Sequence, residues 1–350
     1  MAYTDIDKPT DYFNTKLYTG NGSTNAITGV GFQPDLLWIR NRLNSSRTAR
    51  AIDSVRGVGK LLNIAGSADE DTQADTVTSF DSDGFSLGAD SSEYGVNDNT
   101  GSHVAWSWKA GGTASSNTDG SITSSVSAST TSGFSIVSFT GTGNALTAGH
   151  GLGVKPSMII AKSTTIANNW IVQHGSLGAT NTIFLDNTNP SQTGTVFWND
   201  TEPTSSVFSL GNWSGINTSG SGIIAYCFAD TGNKFFKAGS YTGNGQNDNT
   251  FIHTGFKPAF IMIKKTDSSD GNDNWVIVDN KRLGYNVDNN PLYPNTSGAE
   301  VTSDYIDFLS NGAKIRNGAN EVGRSGVVYI YMAFAESPFV TSTGIPTTAR

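Results

Sequence analysis

Three stretches of the chain alternate large and small side chains with a period of two. Residues 104–110 read VAWSWKA, residues 224–230 read IAYCFAD and residues 330–336 read IYMAFAE. Successive side chains of a strand point to opposite faces, so Val104, Trp106 and Trp108 share one face. Ile224, Tyr226 and Phe228 match them, as do Ile330, Met332 and Phe334. The other face is small: Ala105 and Ser107, then Ala225 and Cys227, then Ala333, with Tyr331 as the exception. The pattern predicts three strands whose large face fills a sandwich core and whose small face lies against a close neighbour.

Each of these strands ends a longer passage that the chain writes three times. Tyr18 to Arg40, YTGNGSTNAITGVGFQPDLLWIR, returns as Phe139 to Lys162 and as Tyr241 to Lys264. Each copy opens on an aromatic, Thr and Gly, with a second glycine soon after (Gly22, Gly143, Gly245). A proline follows (Pro34, Pro156, Pro258), then an apolar run that stops at a cation, Arg40, Lys162 or Lys264. The glycine pairs supply positive-φ turns, and the prolines end one segment before the next strand. Leu36 to Ile39 is apolar on both faces, which predicts a strand buried between layers, with Arg40 and its two counterparts as solvated strand ends.

The expected fold class is all-β, with three tandem related antiparallel β-sandwich units of jelly-roll type. Residues 1–16 are an extended lead-in. The units span 17–110, 133–233 and 234–339, the Ser/Thr/Gly-rich stretch 111–132 is a linker or surface crossing, and 340–350 is a tail.

Composition narrows the function. Among 350 residues there are 22 Lys and Arg against 30 Asp and Glu, a net charge of −8, which argues against a nucleic-acid partner. The 40 glycines suit many short strands joined by turns. A single cysteine, Cys227, excludes an intrachain disulfide, and its place in an alternating strand marks it as a small buried residue. The acidic start MAYTDIDKPTDYFNTK is unlike a signal peptide, and no apolar run suits a membrane helix, so synthesis in a cytoplasm without membrane insertion is expected.

Candidate chemistry is sparse, and neither enzymatic activity nor a cofactor is expected. Asp53-x-x-Arg56 recurs as Asp279-x-x-Arg282, a spacing at which the acid caps a turn and the arginine pairs with it. The second copy has Gln173-His174-Gly175 there, so the motif reads as structural. His103, His150, His174 and His253 are scattered without ligand spacing, and Asp267 to Asn274 lacks the alternating acids of a calcium loop. Asp83-Gly84 and Asn311-Gly312 signal hairpin turns. Aromatic residues at loop tips can stack on sugars, and Trp198, Trp213 and Tyr293 are the expected glycan contacts.

The triple unit, with YTGNG, GFxP, LLWIRNR or IMIKK, DSVRG, SFDSDGF and VAWSWKAGG, resembles a repeat of phage virion proteins, mainly tail-fibre-like proteins of marine cyanophages and pelagiphages. The resemblance runs from Lys16 to Phe339. It implies a virion structural protein, a tail fibre or surface appendage for assembly and host attachment, with a capsid decoration protein as the alternative and a glycan-binding or depolymerising tail enzyme as the second. The implied partners are further copies of the chain, as a trimer, other virion proteins and a host surface glycan.

Overall fold

The structure, a computed structural model, describes residues 4–267, 273–282, 286 and 289–347. The chain is all-β. Three times it lays down an opening, a middle and a closing strand, and each time the closing strand lies between the other two. The opening strands are Phe13–Thr19, Phe134–Thr140 and Phe236–Thr242. The middle strands are Leu36–Asn41, Met158–Ser163 and Phe256–Lys265. The closing strands are Ser102–Trp108, Gly222–Phe228 and Val328–Pro338. These strands all pair antiparallel, and their registers correspond: Trp38 faces Trp106, Ile160 faces Tyr226 and Met262 faces Met332.

After each opening strand the chain turns through Gly22, Gly143 or Gly245, at φ of 61°, 77° and 78°, where a side chain would be strained. It then enters a second, smaller sheet. That sheet is Asn25–Thr28 with Val77–Asp81 and Gly84–Leu87 in the first unit, Leu146–Gly149 with Val207–Leu210 in the second, and Phe251–His253 with Ile306–Leu309 and Gly312–Ile315 in the third. Both expected hairpins are present, with Ser82-Asp83 and Ser310-Asn311 as the loop residues. The glycine after each loop answers a different need from turn geometry. A Cβ on Gly84 would stand 1.9 Å from the Ile27 carbonyl oxygen, and one on Gly312 would stand 2.1 Å from that of Ile252.

The alternating faces of the closing strands point the opposite way from the sequence expectation. Ala105 packs inside the first unit with Phe85 and Leu87, and Ala225 and Cys227 pack inside the second with Phe208 and Leu210. The small sheets bring the bulk, so the closing strand must supply narrow side chains there. The large faces meet one another instead. Trp108, Phe228 and Phe334, one from each closing strand, form a triangle with ring centroids 6.5, 5.9 and 5.8 Å apart. Around them a single buried cluster draws residues from all three units, and the core of the third unit is continuous with it. The chain is thus its own pseudo-trimer, wound about an aromatic axis. The small faces are covered within each unit, so they offer nothing for a second chain to bury.

The stretch 111–132 is a built part of the second unit. Ser115–Asn117 and Ser124–Ser129 extend its large sheet to eight strands, and Val126 is buried. The lead-in is anchored too: Ile6 enters the central cluster, and Asp7 accepts hydrogen bonds from the backbone N–H and hydroxyl of Ser342. Cys227 is fully buried, and burial pushes its thiol well up, out of the reactive range.

Candidate functional site

The first candidate is the set of seams where the units meet. Arg40, Lys162 and Lys264, expected in solvent, are among the most buried residues of the chain. They share a face with the large residues of their strands and reach into a neighbouring unit. Arg40 donates to the carbonyl of Thr296 at 2.5 Å and to that of Gly298, both in the third unit. Lys162 donates to Ser67 in the first unit at 2.9 Å, and Lys264 to Thr188 in the second at 3.2 Å. Lys162 also bonds to the carbonyl of Asn168, and Lys264 to that of Asp273. Burial lowers both lysines to about 8 and Arg40 to about 10, with Arg282 adding to the shift on Arg40. The links run head to tail: first unit to third, third to second, second to first.

A matched second layer runs in the same direction. Trp106 of the first unit donates its indole N–H to Asp279 of the third at 3.0 Å, and Tyr226 of the second donates its hydroxyl to Asp53 of the first at 2.8 Å. Each aspartate also caps its own turn and pairs with the arginine three places on, Arg56 at 2.6 Å and Arg282 at 2.7 Å, as the spacing predicted. The third closing strand places Met332 at this position, and Met332 has no donor. An aspartate opposite it would be buried without its partner across the seam. The second unit has His174 there, whose Nε2 donates to the Tyr331 carbonyl at 3.1 Å while Nδ1 accepts from the Ser176 N–H. The departure of the second copy is therefore set by its neighbour in space. A third set joins backbones: Glu70 N–H to Thr164, Ser191 to Thr266 and Glu300 to Arg42, at 3.0, 2.9 and 2.7 Å.

Burial lowers the His174 imidazole from the ordinary 6.5 to about 4. Above pH 6.5 the group is neutral whether the chain is folded or not. Below it the unfolded chain takes a proton that the folded chain refuses, so stability falls until about pH 4, by about 3 kcal/mol. His103 and His150 are lowered by burial and act in the same sense, whereas Asp186, raised by burial to about 6, opposes them. Urea unfolding of the wild type and of His174→Gln at pH 4.5 and 7.5 isolates the His174 share. The variant is expected to lose less stability on acidification.

The second candidate is a surface groove of about 680 Å³ on the second unit. It lies between the Ser124–Ser129 strand, the end of the opening strand and the Gly141-Thr142 turn, and is lined by Ser116, Thr123, Ser125, Ser138, Thr140 and Phe139, with no charged residue. One of its walls comes from the stretch expected to be a linker. The alternation of Ile122, Ser124, Val126 and Ala128 was the signal that a strand lay there. Of the residues expected to contact glycan, Trp198 is core: it ends the one-turn helix Thr195–Trp198 and is 1% exposed, packed inside the second unit. Trp213 is half-buried against Phe184 and Phe197. Tyr293 is half-buried in the third unit, its hydroxyl 3.2 Å from that of Tyr305. The three do not converge, and none lines the groove. Among the described residues no three metal-ligating side chains cluster. Most of the Asp267–Asn274 segment lies outside the described residues.

Residues 8–338 match DUF7483, a domain of unknown function. The chain belongs to the DUF7483 family. The match begins in the lead-in and ends at Pro338, the last residue of the third closing strand, so the DUF7483 unit takes in all three copies. Comparison with curated proteins gives no match.

Proposed function

We propose that this DUF7483 chain is a structural protein of a phage particle, a tail fibre or similar surface appendage, which holds its place by packing and touches a host glycan. The observation that carries the reading is the closure of three units on one aromatic axis by buried, head-to-tail links. Such a block resists deformation because no unit can move without stripping cations and carboxylates of their partners. The titratable groups of the seams are occupied in these bonds, which favours a mechanical role over a catalytic one. The resemblance of the repeat to virion proteins supports the same reading.

The groove on the second unit is the glycan contact in this reading. Its hydroxyls and backbone groups suit a neutral sugar, with Phe139 and Ile122 as the apolar residues of the lining. Other virion proteins are the natural partners at the opposite end. Homotrimerisation would need a surface other than the small strand faces, and light scattering distinguishes one chain from three.

Mass spectrometry of density-banded particles tests the assignment. The chain should be present, at tens of copies or fewer per particle. Its absence would overturn the reading, and hundreds of copies would move it to the capsid surface. The groove is tested by Ser125→Trp, which fills it from an exposed position. Binding to host polysaccharide should fall at least about tenfold, roughly 1.4 kcal/mol, with the unfolding midpoint unchanged.

A further inference from the structure

Lys265 breaks the pattern of the three copies. It ends the third middle strand opposite Tyr329, where the first unit has Asn41 opposite His103 and the second has Ser163 opposite Ile223. Asn41 and Ser163 do the same work: Asn41 Oδ1 accepts the N–H groups of Leu43 and Asn44, and Ser163 Oγ accepts those of Thr165 and Ile166. An ammonium has no acceptor and cannot cap that turn. The third unit gives up a shared cap and buries a cation, with 1% of its side chain exposed, in its place.

What the lysine gains is Asp273. The Lys265 Nζ lies 3.1 Å from Asp273 Oδ1, and the carboxylate side chain is 5% exposed. Among the described residues the amine donates to Asp273 alone, and a buried ammonium has three donors to place. Glu321 completes the group. It is half-buried and close enough to feel both charges: burial raises its carboxyl towards the protonated form, a backbone hydrogen bond opposes this, and Asp273 raises it while Lys265 lowers it. A buried amine, a carboxyl at contact distance and a second acid able to carry a proton are what amide condensation requires.

We propose that Lys265 and Asp273 condense into an isopeptide bond, with Glu321 as the proton carrier. A proton passes within the pair, leaving a neutral amine and a neutral acid. The Nζ lone pair attacks Cγ of Asp273, and a C–N bond forms. Glu321 takes a proton from nitrogen and delivers one to the departing hydroxyl, which leaves as water. No oxidant, metal or nucleotide enters. The product ties the end of the third middle strand to the segment before Trp275 by a bond that neither low pH nor denaturant opens.

The experiment is intact-mass measurement of the full chain under denaturing conditions, beside Lys265→Arg, which keeps the cation but cannot close the amide. After allowance for the substitution, the wild type should be lighter by one water, about 18 Da. The tryptic peptide spanning residues 265–281 should carry the loss and give no fragment ions from within 265–273. Glu321→Gln should retain the full mass. A wild-type mass with no water missing overturns the proposal, as does a loss that fragmentation places at an Asp-Gly succinimide, that of Asp270-Gly271 within this peptide included. A crosslink that persists in Glu321→Gln overturns the role given to Glu321.

Discussion

Trp108→Ala is expected to destabilise the whole chain by about 3–5 kcal/mol, the usual cost of removing a large buried aromatic. Trp108 is 1% exposed and sits in the axial triangle, with ring contacts to Phe228 of the second unit and to Phe260 and Phe334 of the third. The cavity would open where three units meet, so no single unit could collapse to fill it. Far-UV circular dichroism and tryptophan fluorescence should therefore report one coincident urea transition, shifted to lower denaturant. Separate transitions for the two probes would contradict a shared core. Trp108→Phe should cost less, because the buried indole N–H has no hydrogen-bond partner among the described residues and its removal offsets part of the lost volume.

Asp53→Ala carries an effect of the same size through electrostatics. One carboxylate oxygen accepts the backbone N–H groups of Val55 and Arg56, and the other takes the Arg56 guanidinium and the Tyr226 hydroxyl. The side chain is fully buried. Deleting it leaves a guanidinium with Glu70, 3.0 Å away, as its remaining carboxylate partner, and a buried hydroxyl with no acid to receive it. Breaking a buried pair from one side costs about 3–5 kcal/mol. Tyr226→Phe removes the link between units alone and should cost about 1 kcal/mol. A double-mutant cycle between the two positions, read by urea unfolding, should show positive coupling, since the hydroxyl has lost its acceptor once Asp53 is gone. Simple additivity would mean that the seam bond contributes nothing.

The all-β class, the threefold register and the turn chemistry of Asp53 and Asp279 were legible in the chain because each rests on local pattern. The direction of the large faces was not. Alternation states that two faces differ, but which one meets the small sheet depends on Phe85, Leu87, Phe208 and Leu210, far away in sequence. Arg40 held a signal that went unused: it continues the Leu36, Trp38 face by period two, so it belonged with the buried set. The cyclic order of the seams depends on which unit abuts which, and no single copy records that. Trp198 misled because its Asn- and Ser-rich surroundings suggested a loop tip, whereas one helical turn folds it inward. The groove was hidden by composition, since its serines and threonines read as linker.

Cyclic closure bears on how the chain is made. A ribosome delivers about 5–20 residues per second, and early domains ordinarily fold before later ones appear. Here Arg40 waits for the carbonyl of Thr296, 256 residues downstream, and Trp106 for Asp279, 173 residues downstream. For roughly 13–50 seconds of synthesis the first unit presents an unsheltered aromatic surface and a cation with no acceptor. The nascent chain is most open to wrong association during that interval, and slowing translation should lower its soluble yield.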